Sequence, residues 1–163
     1  MRRTRREAEF EEYFLGRAVS MRRTANLIVR DWHTAEDMVQ ATFIQLYLHW
    51  PRIRASSLDA YARKALVNQC LSQLRRHSRE QLTDEVPERQ TLDRDPSLDL
   101  RPALALLPAR QRAIVALRFL DDLSVRDTAA ALGVAEGTVK SQTSTAFETL
   151  RRALPDFALT EET

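Results

Sequence analysis

Residues 124–150, SVRDTAAALGVAEGTVKSQTSTAFETL, form two segments of helical character on either side of a glycine. Ser124 is placed to cap the first helix, and Asp127 follows three residues later, close to a capping-box pattern. Gly133 supplies the backbone freedom that the turn needs, and Glu136 opens the next helix. This layout is typical of a helix-turn-helix, whose second helix enters the DNA major groove. An ordinary helical hairpin with a solvated polar face is the alternative that this segment leaves open.

The second of these helices has two chemically different sides. At about 100° per residue, its apolar side chains fall on one side together with Thr143, and that side is predicted to pack on the preceding helix. The opposite side carries Ser141, Ser144, Thr145 and Glu148, with Thr138 and Lys140 on its flanks. This polar side is expected to face solvent or DNA.

Composition favours an all-α protein and excludes several function classes. The chain has 163 residues with 44% hydrophobic and 29% charged side chains, which are ordinary values for a soluble globular protein. Glycines number only 3 and strand-like alternation is scarce. The single cysteine, Cys70, allows no internal disulfide and fits a reducing cytoplasm. No apolar run approaches the ~20 residues that span a membrane. No catalytic or phosphate-binding motif and no metal-ligand spacing is present, so we expect no enzyme activity, cofactor or metal.

Charge and proline content divide the chain into four parts. Residues 1–80 carry 15 basic and 9 acidic side chains, a net charge of +6, whereas residues 81–163 carry 10 basic and 14 acidic ones, a net charge of −4. An acidic, proline-containing stretch of low apolar content separates the two halves, and it is typical of a flexible linker. The sequence therefore predicts two small helical domains at 1–79 and 101–154, an acidic linker at 80–100, and a tail at 155–163.

The helix predicted for residues 35–48 has two apolar arcs. One arc contains Val39, Phe43, Leu46 and Tyr47, and the other contains Ala41, Ile44 and Leu48. Two arcs suggest a core contact on one side and a protein partner on the other. A central helix buried on all sides remains the alternative.

A long helix is predicted from Ser56 to about Arg76. Its polar face lies within an arc of about 80° and combines an aromatic ring, two cations, an amide and a hydroxyl: Tyr61, Lys64, Asn68, Ser72 and Arg75. These groups suit stacking on an unpaired base, hydrogen bonding to base edges and neutralising phosphates. A mixed polar face is also commonly no more than solvated surface.

Four segments, in this order and at this spacing, resemble the extracytoplasmic-function (ECF) sigma factors of bacterial RNA polymerase. DMVQATFIQLY from Asp37 is similar to the family's polymerase-clamp-binding helix, and YARKALVNQCL from Tyr61 is similar to its promoter-melting helix. LLPARQRAIVALR from Leu106 resembles the opening of the family's second domain, and GVAEGTVKS from Gly133 resembles its promoter-reading turn and helix.

The resemblance implies a role for each surface. Asp37, Gln40, Phe43 and Leu46 would dock on the clamp of core RNA polymerase, and the polymerase flap is a second expected contact. The −10 element would be melted and held by Asn68, with Tyr61, Lys64, Ser72 and Arg75 supporting the strand. The −35 element would be read as duplex by Thr138, Lys140, Ser141, Gln142, Ser144 and Thr145. The chain would thus be a cytoplasmic, non-enzymatic promoter-recognition subunit. An anti-sigma factor, common in the family, would cover residues 36–48.

The reading helix departs from the family pattern, which usually continues with arginines after Lys140-Ser141. Gln142 and Thr145 stand where arginine is common, so we expect a weak intrinsic affinity for the −35 element. Two rival functions are a stand-alone helix-turn-helix transcription regulator, which leaves the first half unexplained, and a sigma-like protein-binding module.

Overall fold

The computed structural model describes residues 2–81 and 101–154, and over these residues the chain is helical without a strand. The first lobe consists of α1 (Arg5–Val29), α2 (Trp32–His49) and α3 (Leu58–Gln81), with short 3₁₀ turns at Trp50–Arg52 and Ala55–Ser57. The second lobe consists of α4 (Arg101–Leu104), α5 (Ala109–Val115), a π-helical turn (Ala116–Leu120), α6 (Val125–Leu132) and α7 (Glu136–Ala153). The all-α prediction is confirmed for the described residues. The predicted tail and most of the predicted linker lie outside them.

Short polar signals set where the helices of the first lobe begin. The Thr4 hydroxyl accepts from the Glu7 backbone N–H at 3.2 Å while the Glu7 carboxylate accepts from the Thr4 N–H at 2.9 Å, which is a complete capping box. The Asp31 carboxylate accepts from the Thr34 N–H at 3.1 Å and caps α2. Because Asp31 is the cap, α2 begins at Trp32, three residues before the predicted start.

The helix-turn-helix is formed by α6 and α7 as the sequence predicts. The Ser124 hydroxyl accepts from the Asp127 N–H at 3.0 Å and begins α6. Gly133 ends that helix with φ 65°, a left-handed conformation that a side chain would strain. Ile114, Ala129 and Val139 are buried together and pack α5, α6 and α7 against one another. This packing fixes which side of α7 faces outward.

The two lobes pack on each other instead of standing apart. One buried cluster contains Met21, Ile28 and Cys70 from the first lobe together with Leu117 and Ala131 from the second. The sequence predicted two domains and gave no sign of this contact, because the second lobe contributes mainly small side chains that carry little periodic signal. A separate cluster under α7, with Leu107, Phe147 and Leu150 among its members, completes the second lobe.

Candidate nucleic-acid and polymerase interfaces

The polar face of α3 is Tyr61, Lys64, Asn68, Ser72 and Arg75, and the structure places it on the outside of the first lobe. Lys64, Asn68 and Arg75 are exposed, and Tyr61 and Ser72 are half-buried. The opposite side of α3 is buried in the core through Ala62, Leu66, Val67 and Cys70. The helical period therefore brings all five predicted residues onto one surface.

Some side chains of this α3 polar face already contact other protein groups, and others are free to bind a ligand. Arg75 donates to the Ser72 hydroxyl at 3.1 Å, and the Tyr61 ring lies 6.5 Å from the His49 ring at 56°. In the part of the chain that the structure describes, the Asn68 amide makes no hydrogen bond. An exposed amide with free donors and acceptor, beside an aromatic ring and two cations, has the groups needed to hold an extruded base and its phosphates.

The polar face of α7 is chemically plainer. It contains Thr138, Lys140, Ser141, Gln142, Ser144 and Thr145, of which Lys140, Ser141, Ser144 and Thr145 are exposed. Ser141 and Thr145 donate to the backbone carbonyls of Thr138 and Ser141, at 3.2 and 3.1 Å. These hydroxyls can still accept hydrogen bonds from a ligand, but their O–H groups already donate to carbonyl oxygens of the same helix. Lys140 is the one cation of residues 136–150.

Gln142 is less available to DNA than the sequence predicts for a residue of the α7 polar face. It is half-buried, and its Oε1 accepts from Gln111 Nε2 on α5 at 2.9 Å. The side chain is therefore turned toward its own lobe and is partly withdrawn from the surface that would meet DNA. This contact is nonlocal, so no local pattern could have predicted it.

The structure corrects two of the four residues predicted to dock on the polymerase clamp. Asp37 and Gln40 are exposed, but Phe43 and Leu46 are only 4% and 0% exposed. Phe43 is held in an aromatic cluster, with ring centroids 4.7 Å from Phe14 and 6.1 Å from Phe10. A side chain that fills the core in this way is not available to a partner.

The other apolar arc of α2 supplies the exposed side chains instead. Ile44 and Leu48 are 63% and 68% exposed, so the alternative of a fully buried α2 is wrong. Asp37, Gln40, Ile44 and Leu48 follow one another at spacings of three, four and four residues and form one stripe, the α2 stripe, on the surface. At the N-terminal end of the α2 stripe, the Asp37 carboxylate lies 3.8 Å from Nδ1 of His33.

Two negative findings apply to residues 2–81 and 101–154 alone. No group of three or more His, Cys, Asp or Glu side chains is arranged to hold a metal ion. None of the helices there has the length and apolar character required to span a membrane.

A helix-turn-helix lobe, a second polar helix face and an exposed amphipathic stripe are together typical of a DNA-binding protein that also docks on another protein. Comparison with known proteins specifies the class. The model of sigma-70 region 2 matches residues 17–80, and the model of sigma-70 region 4 matches residues 97–150. These matches cover α2, α3 and the helix-turn-helix, which carry the three surfaces described above.

Similar proteins match over nearly the whole chain. An RNA polymerase sigma-E factor of Streptomyces coelicolor is 35% identical over 90% of this chain and 86% of its own length. ECF RNA polymerase sigma factor SigM of Mycobacterium tuberculosis is 32% identical over 89% and 76%. The structure of the sigma factor RpoE in complex with the anti-sigma factor NepR, from Bartonella quintana, superposes with a TM-score of 0.76 at 28% identity, covering 92% of this chain and 99% of that one. The protein belongs to the sigma-70 family as an ECF sigma factor, and it directs promoter-specific transcription initiation.

Proposed function

We propose that the two lobes divide promoter recognition between melted and duplex DNA. The observation that carries the proposal is the exposed α3 polar face, with an unbonded amide at Asn68 between an aromatic ring and two cations. Its position within the match to sigma-70 region 2 supports a role at the −10 element. Extruding a base costs about a few kcal/mol, so a surface that captures it must supply stacking and hydrogen bonds of similar size.

In this scheme Asn68 holds a flipped base of the −10 element through hydrogen bonds to its Watson–Crick edge. The Tyr61 ring stacks on the melted strand, and Lys64 and Arg75 neutralise its phosphates, with Ser72 orienting Arg75 through their 3.1 Å hydrogen bond. The stacking and the hydrogen bonds to the flipped base form only after melting, so they stabilise the open promoter over the closed one.

The α7 polar face contacts the −35 element in the major groove. Lys140 pairs with a phosphate, while Ser141, Ser144 and Thr145 approach base edges and backbone through short hydroxyl contacts. Thr138 lies at the N-terminal end of the helix, and Gln142 reaches the DNA only if it leaves Gln111. With one cation on this face, the affinity of the second lobe for duplex DNA is low.

Core RNA polymerase is the protein partner of the α2 stripe. Ile44 and Leu48 insert into an apolar groove of the clamp, and Asp37 and Gln40 form polar contacts at one end. In the second lobe, the exposed apolar side chains Leu106, Phe119 and Leu120 are the contact for the flap. Phe119 is supported there by Phe147, whose ring lies 5.0 Å away.

The chain itself is not an enzyme in this scheme, because the core polymerase supplies the catalysis, and it works in the cytoplasm where that polymerase acts. An anti-sigma factor covers residues 36–48 and thereby competes with the clamp. This part of the proposal is supported by RpoE, a sigma factor of similar fold whose structure was solved in complex with the anti-sigma factor NepR.

Transcription with a randomised template library tests the proposal. The purified protein is combined with core RNA polymerase of Streptomyces coelicolor, the source of a 35% identical relative, and the transcripts are sequenced. We expect enrichment of two short sequence blocks at a fixed separation and a defined start site. A library without enrichment, or enrichment of a single block that does not depend on core polymerase, would favour the stand-alone regulator.

A matched pair of variants tests the α2 stripe in the same assay. Ile44→Asp places a charge where an apolar contact is proposed, and we expect at least about a tenfold loss of polymerase binding because that charge must be desolvated. Leu15→Asp makes the same kind of change at an exposed apolar residue of α1 that lies outside the stripe. Equal losses for both variants would contradict the assignment of the docking surface.

A further inference from the structure

One tyrosine of α1 contacts both ends of the connection between α2 and α3. This α2–α3 connection, residues 50–57, follows α2 directly and leads into the first turn of α3. At its start, the Tyr13 ring lies 5.8 Å from the Trp50 ring. Just past its end, the Tyr13 hydroxyl donates to Asp59 Oδ1 at 2.9 Å. Tyr13 therefore joins α1 to the place where the chain leaves α2 and to the place where it enters α3.

The α2–α3 connection has few anchors of its own. From residue 50 to residue 57 no side chain is buried. A cleft of about 400 Å³ lies beside it, toward the N-terminal end of α1, with Arg6, Ile53 and Leu58 in its lining. A segment with so little buried surface depends on the contacts at its two ends to keep its position.

Asp59 ties the first turn of α3 to α1 through both of its carboxylate oxygens. Oδ1 accepts from Tyr13, and Oδ2 accepts from Arg17 Nη2 at 2.8 Å. Tyr13 and Arg17 lie one helical turn apart on α1, so two donors on one rigid helix set the position of one carboxylate. Burial, and after it the hydrogen bond to Asp59, raises the pKa of Tyr13 above its usual range, so the hydroxyl keeps the proton that it donates.

The contact around Asp59 has more effect on geometry than on stability. The side chains of Arg17 and Asp59 are both half exposed, and ion pairs at such exposure stabilise a fold little. A side-chain tip lies about 6 Å from the axis of its helix, so a rotation of α3 by about 20° moves the tip by about 2 Å. Tyr61 follows Asp59 by two residues and is the first residue of the α3 polar face. Binding sites tolerate displacements of only about 0.5 Å, so the rotation of α3 at its first turn matters for this face.

We propose that Tyr13 is a positioning residue for promoter recognition. Through its contacts with Trp50 and Asp59, it fixes the rotation of α3 at the first turn. The Tyr61 ring is thereby placed to stack on the melted strand, so this inference rests on the stacking role proposed above for that ring. Tyr13 itself is half-buried against its partners and acts on transcription only through the α3 polar face.

A double-mutant cycle on duplex promoter tests this order of action. Tyr13→Phe removes only the hydroxyl and keeps the ring that contacts Trp50. We expect about a fivefold loss of run-off transcription, as the loss of one hydrogen bond predicts, with little change in the temperature of unfolding. In a Tyr61→Ala background the same substitution should cause no further loss, because the ring that it positions is absent. A role in stability alone would lower transcription by the same factor in both backgrounds.

The outcomes of this cycle separate the inference from the proposed function. If Tyr61→Ala lowers transcription and Tyr13→Phe adds its full loss, Tyr13 does not act through the Tyr61 ring and this inference alone is overturned. If Tyr61→Ala has no effect, the stacking role is wrong and the inference falls with it.

Two carboxylate variants test the contact from the side of α3. Asp59→Ala removes the acceptor of Tyr13, and we expect it to reproduce the loss of about fivefold and to add nothing to Tyr13→Phe. Glu9→Ala is the matched control, since it removes an exposed carboxylate that pairs with Arg5 on its own helix at 2.9 Å. We expect this control to leave transcription unchanged. Equal losses for the two variants, or no loss for Asp59→Ala, would contradict a positioning role of the contact.

Discussion

The two polar helix faces of this sigma factor differ in what they offer to DNA. The α3 polar face presents two cations, an aromatic ring and an amide without an internal hydrogen bond. The α7 polar face presents one cation, hydroxyls that donate to their own helix, and Gln142, which is bonded to Gln111 at 2.9 Å. The comparison suggests that sequence discrimination lies mainly in the first lobe, where strand capture is proposed, while the helix-turn-helix provides an upstream anchor of low affinity.

The largest effect is expected at Asn68. Asn68→Ala removes the amide proposed to hold the flipped base, and we expect about a 30-fold loss of run-off transcription from duplex promoter, in the range of about two hydrogen bonds. On a template with a pre-melted bubble the bases are already unstacked, so the substitution should reduce run-off transcription much less. Polymerase binding should not change.

The matched control for Asn68 is Gln73→Ala. Gln73 is an amide on the same helix, about 140° around the axis from Asn68, and it accepts from Arg76 at 3.1 Å. Loss of activity in this control, or an equal loss on bubble and duplex templates for Asn68→Ala, would contradict base capture by the α3 polar face.

A gain in DNA affinity is expected from a substitution on the α7 polar face. Gln142→Arg replaces a side chain that is turned toward α5 with a longer, charged one, and we expect about five- to tenfold tighter binding of the holoenzyme to duplex −35 DNA. The dependence of log affinity on log salt should steepen by about one unit, as one added phosphate contact predicts. Electrophoretic mobility assays at several salt concentrations measure both quantities.

Gln111→Ala is the control for this gain, since it releases Gln142 without adding a charge. We expect a small change in affinity and no change in the salt dependence. If Gln142→Arg gained nothing, the weakness of the α7 polar face would have another cause than its missing cations.

Local signals made the two polar helix faces predictable, because each depends on residues close together in sequence. The Ser124 cap and Gly133 turn define the helix-turn-helix, and the 3.6-residue period alone collects the α3 polar face. The period also separated the two arcs of α2. The period alone does not predict which arc is buried, because Phe43 is buried by aromatic rings of α1 that are distant in sequence.

The nonlocal contacts could not be predicted from the sequence either, because each joins residues that are far apart in the chain. The bond from Gln111 to Gln142 joins α5 to α7, and the bond from Thr24 to Asp121 joins residues 97 positions apart. Alanines and single hydroxyl groups carry these contacts, and such residues occur on any helix surface. Two domains were therefore predicted correctly as helical units, while their packing against each other was not.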